Sequence, residues 1–83
     1  MNPPIGQRIA AVRRSRGMTQ QQLAGEIGRK KSTASHIEQG HAWLDDARLA
    51  AICARLGVTV WQIRSPHWRK LCARGGISLE EAL

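Results

Sequence analysis

The chain has no tyrosine and no phenylalanine, so Trp43, Trp61 and Trp68 supply all of its large aromatic surface. It has two cysteines, Cys53 and Cys72, and neither sits in a CxxC pattern. A zinc site built from His41, Cys53, His67 and Cys72 lacks metal-ligand spacing, so no metal and no cofactor is implied. Cys53 falls on an apolar helical stripe and reads as a reduced core residue, and a Cys53–Cys72 disulfide is not favoured. No apolar run approaches the ~20 residues that span a bilayer, and the N-terminus lacks the apolar region of a signal peptide, so a cytoplasmic location is expected. A nucleophile–base–orienter set is also missing: Ser32 and His36 share a helix but have no third group to orient them, which argues against an enzyme. There is no internal repeat and no low-complexity segment. Acids are scarce as well, 6 against 13 lysines and arginines in 83 residues, for a net charge of +7.

The charge is uneven. Residues 1–40 hold seven cations (Arg8, Arg13, Arg14, Arg16, Arg29, Lys30, Lys31) against Glu26 and Glu38. That is the electrostatic footprint of a surface for a polyanion. A chain of this size makes one small domain with a modest core, which dimerisation would help to stabilise.

Apolar spacing predicts a compact all-α bundle of five helices. Prolines keep residues 1–4 as an extended or flexible arm. Ile5, Ile9 and Val12 mark one face of a first helix, with Arg8, Arg13, Arg14 and Arg16 around the rest and Gly17 at its end. Thr19 caps a second helix, with Gln22 three residues on as its capping-box partner. Leu23, Ala24 and Ile27 are its buried stripe, and Gly28 stops it in the left-handed conformation. A third helix over about 31–39 buries Ala34 and Ile37 and ends at Gly40. Asp45 caps a fourth that carries Leu49, Ile52, Cys53 and Leu56, and Gly57 ends it. Thr59 opens a short fifth with Val60, Trp61 and Ile63, closing before Pro66. Residues 66–83 differ in character: a basic stretch with a Trp68/Leu71 apolar edge, a Gly75-Gly76 hinge, and a capping box at 78–81 opening a last turn.

A capped apolar helix, a glycine turn and a second short helix with one polar side have the layout of a helix-turn-helix, whose second helix enters the DNA major groove. The sequence resembles the lambda-repressor-like helix-turn-helix proteins, the XRE/Cro family of DNA-binding transcriptional regulators. The resemblance is carried by Arg13 on the opening helix, by TQQQLAGEIG (19–28), by Ser35, Ile37, Glu38, Gln39 and Gly40, and by LAAICARLGVTVWQI (49–63). It covers about residues 5–64, and the motifs stand in order at the right spacing.

The resemblance implies a division into a helix-turn-helix domain over 1–65 and a C-terminal extension over 66–83. It implies a structural ion pair between Arg13 and Glu38, fixing the angle between the first and third helices. Base readout falls to Lys31, Ser32, Thr33, Ser35 and His36, whose donors, acceptors and methyl group suit base edges. Phosphate contact falls to Gln20 at a helix start, to Arg29 and Lys30 in the turn, and to Gln39 and His41 behind the third helix. Members of the family usually dimerise on near-palindromic DNA. Trp61, Arg64, Trp68, Leu79 and Leu83 are the candidate dimer residues, and Leu71 and Ile77 also belong to a tail suited to a partner subunit. Three departures stand out. Arg29 replaces a usual apolar residue, Lys30 a usual Ser or Thr cap, and Ala34 a branched aliphatic, so the turn is less well sealed and more cationic. The function implied is a sequence-specific repressor or autoregulator, binding double-stranded DNA as a homodimer and nucleoid-associated when bound. The alternative is an antitoxin-type DNA-binding protein that holds a second protein through residues 66–83.

Overall fold

The start of each helix is explained by a local hydrogen bond or by the lack of one. In the computed structural model, which describes residues 2–41, 44–75 and 77, the helices are α1 (Ile5–Ser15), α2 (Gln20–Glu26), α3 (Lys31–Gln39), α4 (Asp46–Leu56), α5 (Val60–Arg64) and α6 (Trp68–Ala73). No strand occurs among the described residues. Thr19 and Gln22 form a reciprocal capping box at α2. Thr59 and Gln62 form a second one at α5. The Asp45 carboxylate accepts from the Arg48 backbone N–H at 2.7 Å and so opens α4. The α3 helix begins at Lys30 with no side-chain cap. No helix among the described residues is long and apolar enough to cross a membrane.

The core is Ile9 and Val12 from α1, Leu23 from α2, Ile37 from α3, Leu49, Ile52, Cys53 and Leu56 from α4, and Ile63 from α5. Two further members come from the segment after Pro66. Trp68 is 3% exposed and Ile77 is buried beside the same cluster. The sequence reading of five helices therefore lacks α6, and two of its partner-facing residues need correcting. Trp68 and Ile77 are core residues of this subunit, and their side chains are not free to meet another. The reason is Arg8. Lying outside the apolar stripe of Ile5, Ile9 and Val12, it is expected at the surface of α1, but it is buried. Its Nε donates to the Pro3 carbonyl at 2.8 Å, and one terminal nitrogen donates to the carbonyls of Ile63 and Ser65 at 2.9 and 2.8 Å. The Trp68 ring lies 5.5 Å from its guanidinium carbon, a cation–π distance. The N-terminal arm is likewise tied down at Asn2, whose side chain donates to the Pro66 carbonyl and accepts from the Arg69 N–H. Expectations for Trp43, Leu79, Leu83 and residues 78–81 lie outside the described residues.

Cys53 and Cys72 are free thiols. Burial raises the pKa of both, and the more distant charges of Arg64 and Arg8 oppose that shift only in part. Another constraint sits in α1. A Cβ added to Gly6 would lie 2.6 Å from the Glu38 carbonyl oxygen and closer still to that of Ile37. The α1 helix thus rests on the backbone of α3 where only a hydrogen fits.

Gly6→Ala is expected to destabilise the fold by about 1–3 kcal/mol, because neither carbonyl is a flexible side-chain end that can yield; urea unfolding at constant m would check it. The thiol shifts give a second expectation. Both folded pKa values exceed the unfolded one, so the neutral thiols contribute stability that is complete below the unfolded thiol pKa and is lost as pH rises through the folded values. Disulfide-exchange labelling of Cys53 at neutral pH is expected to proceed only through unfolding, and to accelerate in Gly6→Ala.

Candidate nucleic-acid interface

The α2 and α3 helices pack through small and aliphatic side chains. Leu23 and Ala24 of α2 and Ala34 and Ile37 of α3 are all buried. Gly28 turns the chain between them at φ 67°, and the Arg29 N–H returns to the Ala24 carbonyl at 2.8 Å. With Ala34 and Ile37 inward, the periodicity of α3 puts Ser32, Ser35, His36 and Gln39 on the opposite face. Ser32, His36 and Gln39 are exposed, as is Lys31 at the start of the helix, while Thr33 and Ser35 are half-buried at the margins. Gln39 donates from its amide nitrogen to the Ser35 hydroxyl oxygen at 3.2 Å, which leaves the serine proton free to donate outward. His41, Arg29 and Lys30 are exposed at the two ends of α3.

The orientation of that face is set by Glu38. Arg13 Nε donates to Glu38 Oε2 at 2.6 Å, and an Arg13 terminal nitrogen donates to Oε1 at 3.1 Å, a two-pronged pair. The two side chains are only 9% and 5% exposed. The remaining terminal nitrogen of Arg13 donates to the Met18 carbonyl at 2.7 Å, so one guanidinium ties α1, the turn before α2, and α3 together. Gln20 joins the group: its amide nitrogen donates to Glu38 Oε1 at 3.0 Å. That bond uses one of its two amide hydrogens and leaves the other to donate elsewhere. No signal in the sequence pointed to this bond.

Two clefts border α3. One, of about 670 Å³, is lined by Arg13, Arg14, Gly17, Met18, Thr19, Gln20, Gln21 and Lys31. The other, of about 490 Å³, is lined by Pro3, Gln7, Ala10, Arg14, Gln20, Glu38 and Gln39. The cations of the first half of the chain divide sharply. Arg8 and Arg13 are buried and bound internally, and Arg16 donates from Nε to the Leu56 carbonyl at 3.0 Å. Arg14, Arg29, Lys30 and Lys31 are exposed around the clefts and the turn.

Of the candidate dimer residues, Trp61, Arg64 and Trp68 are among the described residues, and each has different surroundings. Trp61 is 66% exposed and lines a groove of about 310 Å³ with His67, Lys70, Leu71 and Arg74. Arg64 is paired with Asp46 at 2.7 Å, and Trp68 is inside the core. A family model described as helix-turn-helix matches residues 9–60, from within α1 to the first residue of α5. No curated protein and no solved structure matches the chain.

Breaking the Arg13–Glu38 pair from one side strands a buried charge. Glu38→Ala is expected to cost about 3–5 kcal/mol in urea unfolding. Removing the exposed Glu26 partner of Arg55, which stands 3.7 Å away, is expected to cost less than ~1 kcal/mol. Equal effects from the two variants would show that the buried pair holds nothing.

Proposed function

The chain belongs to the lambda-repressor-like (XRE/Cro) helix-turn-helix family of DNA-binding regulators, and from that premise we propose that it is a sequence-specific repressor or autoregulator that binds a near-palindromic operator as a homodimer, with α3 in the major groove. The observation that carries this reading is the exposed face of α3. Four polar side chains, Ser32, Ser35, His36 and Gln39, stand on one side of a helix whose opposite side is bolted to α1 by a buried ion pair. A rigid polar face with unpaired cations at its margins is what reading base edges between two phosphate backbones requires.

Within this reading, Ser32, Ser35 and His36 face bases, with Thr33 and Lys31 at the edges of that face. Gln20 points its spare amide hydrogen at a phosphate, and Arg29, Lys30, Gln39 and His41 add backbone contacts. One copy covers one half-site. Two copies about 34 Å apart cover a near-palindrome, and regulation follows from protein concentration through dimerisation. Of the candidate dimer residues, Trp61 is the described one that is both exposed and apolar. A large exposed tryptophan beside Leu71 suits a protein contact. The same groove is the observation that favours the second reading, an antitoxin-type protein that holds a different chain there while α3 reads DNA.

Fluorescence anisotropy with the duplex upstream of the protein's own gene, beside a scrambled duplex, tests the proposal. Tight binding that prefers the upstream duplex is expected, and His36→Ala is expected to remove about 1–3 kcal/mol of that preference while leaving the scrambled duplex unaffected. Equal, weak binding to both duplexes would overturn sequence-specific reading.

A further inference from the structure

Among the cations of α1, Arg14 stands apart. The guanidinium of Arg8 is spent on three backbone carbonyls, and that of Arg13 on Glu38 and the Met18 carbonyl. The Arg14 side chain is exposed and has no hydrogen bond or ion pair among the described residues, yet it lines both clefts beside α3. Lys31 lines the larger of these clefts from the other side, also exposed and without a partner. Glu38, the acid that lines the smaller cleft, cannot compensate them. Both oxygens of Glu38 already accept from Arg13, and one accepts from Gln20 as well, so its charge is matched within the fold. Two unmatched positive charges therefore face one open cleft of about 670 Å³.

The periodicity of α3 adds an independent constraint on Lys31. Residues seven apart on a helix fall on nearly the same line. Lys31 thus shares its stripe with Glu38, which is turned toward α1 and buried against Arg13. Ser32, Ser35, His36 and Gln39 lie around the helix from that stripe. Lys31 stands at the α1-facing edge of α3 and not at the centre of the polar face.

We propose that Arg14 and Lys31 clamp one DNA phosphate across the cleft between α1 and α3, so that Arg14 is a further DNA-contacting residue and Lys31 holds the backbone instead of reading a base. The inference rests on the DNA-binding reading of α3 and assigns the chemistry at its margin. The forked donors of a guanidinium match two phosphate oxygens, and an ammonium supplies a point charge from the opposite wall. Neither group has to leave an existing partner to do so. A phosphate contact carries no base identity, so this site sets register and affinity without sequence preference.

The test is the salt dependence of binding by the full chain, measured by anisotropy on the upstream and scrambled duplexes. Arg14→Ala and Lys31→Ala are each expected to weaken both duplexes by the same factor. Each is expected to lower the slope of log affinity against log salt by about 0.9, so that affinity falls about 3.5-fold less than for the wild type between 50 and 200 mM salt. The double variant is expected to lower the slope by the same ~0.9 and no further, since both cations act on one phosphate, and Arg14→Lys to retain it. Arg69→Ala on α6 removes the same charge outside the cleft and is expected to leave the slope unchanged. Circular dichroism and unfolding of each variant establish that the fold is intact. A wild-type slope in Arg14→Ala would overturn the clamp, and so would a Lys31→Ala variant that weakens only the upstream duplex, since that is the signature of a base reader. Failure of the underlying reading looks different: wild-type protein would bind neither duplex, and the clamp would fall with it. If the wild type binds both duplexes equally, the slopes still decide the clamp.

Discussion

The rest of the structure depends on the crossing of α1 over the C-terminal half of α3. At Gly6 the two backbones approach so nearly that the carbonyls of Ile37 and Glu38 occupy the space of a Cβ. Two turns further along α1, Arg13 reaches Glu38 with both prongs of its guanidinium. The first contact sets the distance between the helices and the second sets their rotation. A buried ion pair is weak evidence for net stability, because desolvating two charges offsets most of their attraction. Its value here is geometric. An apolar pair in the same place would let α3 slide or roll, whereas a bidentate pair has one good geometry. The polar face of α3 inherits its direction from that geometry.

The same economy explains the arginines. Helix C-termini leave carbonyls without intrahelical donors, and a small core gives few other ways to satisfy them. Arg16 meets the Leu56 carbonyl at the end of α4. Arg8 meets those of Ile63 and Ser65 around the end of α5. Arg13 meets that of Met18 in the turn before α2. A guanidinium is suited to this because its several donors lie in a fixed plane and its charge persists when buried. Net charge read from sequence therefore overstates the surface potential of α1 and understates its focus. Of the cations in the first half of the chain, what remains exposed with no side-chain hydrogen bond among the described residues is Arg14 and the run Arg29-Lys30-Lys31, around one cleft and one turn.

What was legible in the sequence was local. The Thr19–Gln22 box, the Asp45 and Thr59 caps, the glycine at 28 and the apolar stripes each depend on residues within a turn or two, and each appears where the spacing predicts it. What was not legible was non-local. Nothing near Gly6 says that a carbonyl of residue 37 will lie against it. Arg8 looks like any surface cation of an amphipathic helix until residues 63 and 65 arrive at its tip. Trp68 in a basic segment, with only Leu71 for apolar company, reads as an exposed edge; its burial depends on Arg8 from the other end of the chain and on Ile77 beyond a glycine turn. The polar face of α3 was legible because helical periodicity alone separates it from Ala34 and Ile37. The inward bond from Gln20 to Glu38 was not, since it joins residues 18 apart.

The start of α3 breaks the local rules in one direction. Helix propensity favours Ser, Thr, Asp or Asn at its cap and an acid in its first turn, where the backbone N–H groups and the helix dipole present positive charge. The chain instead places Arg29, Lys30 and Lys31 there, with no side-chain cap. A missing cap costs about 0.5–2 kcal/mol in helix stability, and the added cations oppose the dipole further. The helix forms because its C-terminal half is held by Gly6, Arg13 and Glu38 and its inner face by α2, not because its N-terminus favours it. Local conflicts of this kind concentrate where a protein meets its ligand, since a position optimised for binding an anion cannot also be filled by one. In the free protein the first turn of α3 carries unmatched positive charge. On the DNA-binding role proposed above, a phosphate backbone matches the same charges, so the energetic defect in the isolated fold and the proposed affinity come from the same three side chains.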